Sequence, residues 1–299
     1  MITADTAESP DPFAANPGFV HILPLFDPIG QRNRGPRPKD SLSARSSLWR
    51  LERPEWYNFT DMPGIAVIIP AKNEAANIAK VLADIQTHLP AADIIVIDDC
   101  STDATAEVAS AYPKVTVLRS PIPLGIGGAV QLGLKLGVSR GYGIFIRMDG
   151  DGQHRAECLG GLLKSGGPRT LVQGTRPHNS FMASSNWVRK AGSLYFYLLF
   201  RVCTNRNIPD PTSGLMCFDR EIAEKFSRFY PTDFPEIESL VLLIRSGHAV
   251  VSAPVAMEPR QNGSSSIGLW HGGVYMLSVT IAFLSSFLRN NPYGASHVH

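Results

Sequence analysis

The chain has 299 residues, 44% of them hydrophobic and 18% charged, which is enough apolar material for one large or two small domains with buried cores. A formal net charge of +2 does not mark a general nucleic-acid binder. Four widely spaced cysteines (Cys100, Cys158, Cys203 and Cys217) form no C-x-x-C pair, which argues against both a zinc ribbon and a disulfide-stapled secreted domain, and fits a reducing cytosol.

Residues 1–61 read as a Pro-rich, partly disordered extension. Its first 60 residues hold 8 of the 23 prolines, together with a basic cluster of Arg32, Arg34, Arg37 and Lys39. A loosely draped tail and a basic arm for anionic lipid or a partner both remain open there. No basic-then-apolar leader opens the sequence, and no run reaches the roughly 20 apolar residues of a membrane-spanning helix. The expectation is a cytoplasmic protein, soluble or peripheral on the membrane.

From Met62 onward strands and helices alternate. Ile65–Ile69 is a short apolar run that reads as a buried strand, and apolar spacing predicts a helix over 75–88. Asp93–Ile97, Val115–Leu118 and Ile144–Met148 read as further strands, with helices over 103–111 and 127–139 between them. Beyond residue 180 the pattern turns helical, over 187–203, 220–228 and 235–246, with a strand near Ala249–Ala253. Such alternation predicts an α/β fold with a mostly parallel central sheet and helices on both faces.

Three polar loops follow these strands directly: Pro70–Glu74, Asp98–Asp103 and Asp149–His154. In an open parallel sheet they share one edge, where ligands bind. So many acids gathered together need a cation. Asp149, Asp151 and Gln153 alternate, so an extended segment would turn their oxygens to one side. Oxygen donors without Cys or clustered His favour Mg²⁺ or Mn²⁺ over zinc, and such an ion completes its shell with water and substrate phosphates. In the second loop Asp103 reads as a helix N-cap. Either Asp98 or Asp99 must meet a donor, because an unpaired carboxylate leaving a buried strand is costly. Asn73-Glu74 either opens the next helix or touches a nucleotide. Leu124-Gly125-Ile126-Gly127-Gly128 is read as a decoy, since it lacks the third glycine of a dinucleotide fingerprint and does not open the first βαβ unit.

Five ordered motifs, P-A-K-N-E (70–74), V-I-D-D-C-S-T-D (96–103), M-D-G-D-G-Q-H (148–154), D-P-T-S-G (210–214) and R-Q-N-G-S-S-S (260–266), make residues 64–290 resemble a family 2 glycosyltransferase of GT-A fold. The likeness is to dolichyl-phosphate mannose synthase-like enzymes and to bacterial polysaccharide glycosyltransferases. It implies a GT-A domain over 62–270, an apolar C-terminal helix over 271–290 and a tail over 291–299. It implies a nucleotide site around Pro70, Ala71, Glu74, Ile97 and Asp99, continuing through Met148, Asp149, Arg176 and Arg260. The metal ligands it implies are Asp149, Asp151 and Gln153, with Asp151, Glu238 and Arg260 in catalysis. The family's usual Gly after the paired aspartates is Cys100 here, and the mannose synthases' Lys is Ser266.

The implied reaction is an inverting, metal-dependent transfer from a UDP- or GDP-sugar to a polyprenyl-phosphate or saccharide acceptor. A silent nucleotide-binding scaffold and a nucleotide-sugar pyrophosphorylase are the alternatives. The latter needs a basic Gly-rich loop after the first strand, and Pro70–Glu74 is not one. Glu236 stands three residues after Asp233, a capping-box spacing, which leaves Glu238 as the carboxylate expected to face the acceptor. The uncharged run from Gly272 to Leu288 is too short to span a membrane and is expected at a lipid interface or in a contact between copies of the chain.

Overall fold

The computed structural model describes residues 19–21, 64–175, 187–256 and 269–294. The extension expected over 1–61 falls outside them except for one strand, β1 (Phe19–His21). Arg176, Arg260 and the Ser-rich segment 263–267 also lie outside the described residues.

The first half alternates as the apolar runs require. Strand β2 (Ile65–Ala71) is followed by α1 (Ala75–His88), β3 (Ala92–Asp98), α2 (Thr105–Ser110), β4 (Val115–Arg119) and α3 (Gly125–Ser139). Then come β5 (Ile144–Arg147), a 3-10 turn, α4 (Leu159–Ser165) and β6 (Thr170–Thr175). The second half adds α5 (Trp187–Thr204), β7 (Met216–Asp219), α6 (Arg220–Arg228), α7 (Pro235–Arg245), β8 (Ala249–Pro254) and α8 (Leu269–Leu288).

The sheet order is β1-β4-β3-β2-β5-β7-β6-β8. All pairs are parallel except those of β7, which runs against both β5 and β6. Strands β2, β3 and β5 are buried on both sides, which is why they read as continuous apolar runs. Alternate residues divide between two cores. Val67, Ile69, Val96 and Ile146 pack with Ile78, Leu82 and Leu162 on one face. On the other, Ile68, Ile97, Phe145 and Phe218 pack with Val130, Phe200, Leu240 and Phe283. The fold is thus three layers, with α1, α2 and α4 on one side and α3 with α5–α8 on the other.

Candidate active site

The loops after β2, β3 and β5 meet at the carboxyl edge of the sheet around a cleft of about 430 Å³. The first two loops are stitched together. Asn73 N donates to Ser101 Oγ at 2.9 Å, Thr102 N donates to Asn73 Oδ1 at 2.8 Å, and Glu74 N donates to Thr105 Oγ1 at 2.9 Å. Asp103 Oδ2 accepts from Ala75 N at 3.1 Å. Ala104 holds the N-cap position of α2, one residue beyond the one expected, yet Asp103 still caps the helix by accepting from Thr105 N at 3.0 Å, and its other oxygen ties the second loop to the start of α1. Glu74 occupies the N-cap position of α1 and also lines the cleft.

Both candidate aspartates of the second loop find donors. Asp98, fully buried, accepts from Ser101 N and faces Arg119 Nε at 3.2 Å. Asp99 accepts from the backbone amides of Leu124 and Gly125, the latter at 3.1 Å, and so fixes the first turn of α3 against the cleft. The glycine-rich segment dismissed as a decoy is therefore a wall of the site. Gly127 is where α3 passes closest to the loop before α7, since a Cβ there would fall 2.0 Å from Pro231 O.

Of the residues expected around the nucleotide, Pro70, Ala71, Glu74, Asp99 and Asp149 line the cleft, together with Asp151 of the expected metal set. Ile97 and Met148 do not. Both are wholly buried, on opposite faces of the sheet, because the last turns of strand before each loop still belong to the two cores. Lys72 also lines the cleft, its Nζ 4.0 Å from Asp99 Oδ2. The P-A-K-N-E motif contains it, but no pattern in the sequence singles it out.

The expected pleat of Asp149, Asp151 and Gln153 is absent. Residues 150–152 form a turn and bend, with Gly152 at φ +75°, and this turn brings both carboxylates to the cleft. Gln153 instead folds onto Asp151, donating through its backbone N at 3.1 Å and its side-chain amide at 2.9 Å. No group of three His, Cys, Asp or Glu side chains with metal-ligand geometry occurs among the described residues. Two hard carboxylates at a cleft mouth still suit Mg²⁺ or Mn²⁺, which take few protein ligands and complete their shell from phosphate and water.

Beneath the loop lies Arg147, fully buried at the end of β5 and not anticipated from the sequence. Its Nη2 donates to Asp149 Oδ1 at 3.0 Å and meets Glu236 Oε1 at 2.7 Å. Burial pulls the pKa of this guanidinium down, but the two carboxylates outweigh that effect and hold it above the ordinary arginine value. Gly214, the last residue of D-P-T-S-G, closes the pair from the side. A Cβ there would fall 2.4 Å from Arg147 Nη1 and 2.5 Å from Asp149 Oδ2.

Neither Glu236 nor Glu238 takes the place expected of it. Pro235 opens α7 with Phe234 as N-cap and no side-chain cap, so the Asp233–Glu236 capping box does not form. Glu236 turns to Arg147 instead. Glu238, on the opposite side of α7, is buried against α8, where Arg289 Nη2 donates at 2.6 Å and Ser286 Oγ at 3.4 Å. Burial lifts its carboxyl above the usual carboxylate range, against the pull of Arg289. It does not line the cleft.

Comparison with known proteins gives a consistent likeness. Residues 66–227 match the family model for glycosyl transferase family 2. An undecaprenyl-phosphate mannosyltransferase of Micrococcus luteus is 29% identical over 233 residues, covering 72% of this chain and 92% of that protein. The polyprenol monophosphomannose synthase of Mycolicibacterium smegmatis is 29% identical over 214 residues, covering 67% and 80%. Among solved structures, glucosyl-3-phosphoglycerate synthase from Mycobacterium tuberculosis, in complex with Mn²⁺, UDP-glucose and phosphoglyceric acid, superposes with a TM-score of 0.55 at 22% identity, covering 75% of this chain and 79% of that one. That structural likeness carries the fold.

Proposed function

The chain belongs to glycosyl transferase family 2, and on that premise we propose that it moves a sugar from a UDP- or GDP-sugar to a polyprenyl phosphate, inverting the anomeric centre, at the cytoplasmic face of a membrane. The observation that carries this reading is the convergence of Asp149 and Asp151 with the loops after β2 and β3 on one cleft. Four free cysteines fit a reducing compartment. The two curated relatives bear names of polyprenyl-phosphate chemistry, which supports the acceptor class.

Asp149 and Asp151 would hold Mg²⁺ or Mn²⁺, whose Lewis acidity neutralises charge on the departing diphosphate, an effect worth several kcal/mol. Around them this chain supplies position. Arg147 and Gly214 fix the Asp149 carboxylate from below, and Gln153 fixes Asp151. Pro70, Ala71 and Glu74 form the wall on which the nucleoside rests, and Asp99 holds the α3 terminus as the opposite wall. Arg176 and Arg260, as the resemblance implies, add positive charge toward phosphate. The acceptor oxygen approaches the face of the sugar opposite the diphosphate, and a single displacement inverts the centre. A phosphate monoester is already largely ionised at neutral pH, with a second pKa near ~6, so it needs no base. This removes the need for Glu238 to serve as one.

The test is thermal protection against a panel of nucleoside-diphosphate sugars with and without Mn²⁺. One GDP- or UDP-sugar should raise the melting temperature in the presence of metal, and this shift should vanish in Asp151→Asn. Equal protection by every sugar without metal would refute the reading.

A further inference from the structure

Helices α5 and α8 lie side by side and run in the same direction. Gly192 sits beside Met276, Tyr195 Oη is 3.0 Å from Thr280 Oγ1, and Phe200 packs on Phe283. Their inner faces are core, with Phe196, Phe200, Val279 and Phe283 at 5% exposure or less. Their outer faces are not covered by any described residue. On α8, Val274, Leu277, Ile281, Leu284 and Leu288 are exposed along one stripe, Leu277 at 62% and Ile281 at 59%. On α5, Leu194, Leu198 and Val202 form a second exposed row. Packed helices lie about 8–10 Å apart, so two such rows make a broad apolar surface wider than the single seam of a coiled coil.

Within the sequence segments that contain α5 and α8 the charged side chains have one sign. Residues 187–208 contain Arg189, Lys190, Arg201 and Arg206 and no carboxylate, and residues 259–299 contain no carboxylate either. Arg201 and Arg206 are exposed at the end of α5. A second copy docked on the same face would meet another rim of the same charge. An anionic bilayer offers apolar depth beneath an opposite charge. Crossing the bilayer is not the alternative: no helix among the described residues is long and apolar enough, and one face of α8, with Val279, Phe283 and Ser286, is already buried in the protein.

We propose that the joint outer face of α5 and α8 is a membrane-docking surface, and that its partner is an anionic phospholipid bilayer in whose interface the aliphatic rows lie. The surface is braced to the catalytic cleft. Glu238 ties α7 to Arg289 and Ser286 at the end of α8, and the same helix begins with Glu236, held by Arg147 beneath the Asp149 loop. Docking through α8 therefore fixes the cleft at a set height and angle above the lipid. This inference does not depend on the acceptor proposed above, and its readout is lipid binding alone.

The experiment is vesicle co-flotation of the full chain. The probes are vesicles of phosphatidylglycerol mixed with phosphatidylcholine, and vesicles of phosphatidylcholine alone. Wild-type protein should bind the anionic vesicles at least tenfold better, and binding should weaken as salt rises. The pairs Leu277→Asp with Ile281→Asp, and Leu194→Asp with Leu198→Asp, should each lower binding tenfold or more. Their melting temperature and their metal-dependent release of nucleoside diphosphate in solution should stay at wild-type values, because these side chains touch neither core nor cleft. No binding to anionic vesicles would overturn the proposal, as would binding unchanged in both pairs. Sedimentation showing a dimer that the same substitutions dissolve would also overturn it, in favour of a second copy.

Discussion

Glu236 and Glu238 stand two residues apart on α7 and serve opposite sides of it: Glu236 meets Arg147 at 2.7 Å under the Asp149 loop, and Glu238 meets Arg289 at 2.6 Å just past the end of α8. Two residues on a helix are separated by about 200°, so only one of the pair can reach the cleft.

The first prediction separates these two carboxylates and reads the acceptor class. Glu238→Gln should leave turnover near wild type but lower stability by about 1–2 kcal/mol, since Arg289 loses its charged partner. Glu236→Gln should lower transfer to polyprenyl phosphate by less than tenfold. A positioned base is worth roughly 10²- to 10⁴-fold for a hydroxyl acceptor, so a hundredfold loss with donor affinity unchanged would mean a hydroxyl is the true nucleophile.

Gly214→Ala should damage the site through a single methyl group. Its Cβ would press on the ends of the Arg147 and Asp149 side chains, and relieving that contact means shifting this ion pair. Overpacking of this kind costs about 1–3 kcal/mol. Calorimetry should show that loss, and kcat/KM should fall at least tenfold. Wild-type kinetics in a variant with a lowered melting temperature would show that the Asp149 position is not critical.

Cys100 has φ +59°, in the left-handed region, where the family's usual residue is glycine. The Cβ penalty there is about 1–2 kcal/mol, partly offset by the greater chain entropy that glycine brings to the unfolded state. Cys100→Gly should therefore be neutral or stabilising by up to ~1 kcal/mol, and Cys100→Val, branched at Cβ, should destabilise. Denaturant midpoints of the two variants check this, and loss of stability in Cys100→Gly would contradict it.

Most of the sheet is legible in the sequence because β2, β3, β4 and β5 are buried parallel strands that need only be apolar. Strands β6 and β7 escape notice. Thr170–Thr175 mixes polar residues into its run, and Met216–Asp219 spans four residues that enter antiparallel between β5 and β6. The convergence of the acidic loops on one cleft was legible because loops that follow parallel strands share one edge of the sheet. Arg147 was not, since a cation inside an apolar run looks like an interruption until Asp149 and Glu236 are seen to enclose it. The choice between Glu236 and Glu238 was likewise illegible: spacing shows that they diverge, and only the packing of α7 shows which way each one points.

His248 supplies a pH dependence. Its ring is buried between Ser246 Oγ at 2.8 Å and Glu221 Oε1 at 3.3 Å, and burial, aided by Lys225 and Arg169, lowers its pKa below 6.5. Below that pH the unfolded chain takes up a proton that the folded chain resists. The stabilisation is thus complete above about pH 6.5 and is lost as pH falls. Between pH 7.5 and 5.5 the wild type should lose more unfolding free energy than His248→Gln. Identical losses would remove His248 from the pH response.

The most direct test of the central claim is transfer of labelled sugar from UDP- and GDP-sugars to undecaprenyl phosphate by the full chain, with Mn²⁺, with excess chelator, and in Asp151→Asn. Losing ~4 kcal/mol of transition-state stabilisation slows a reaction about a thousandfold. The account predicts a glycolipid product formed with one donor and metal, with at least that loss under chelator or in Asp151→Asn, whose fold remains intact. Undiminished transfer under chelator, or no product from any donor, would contradict it.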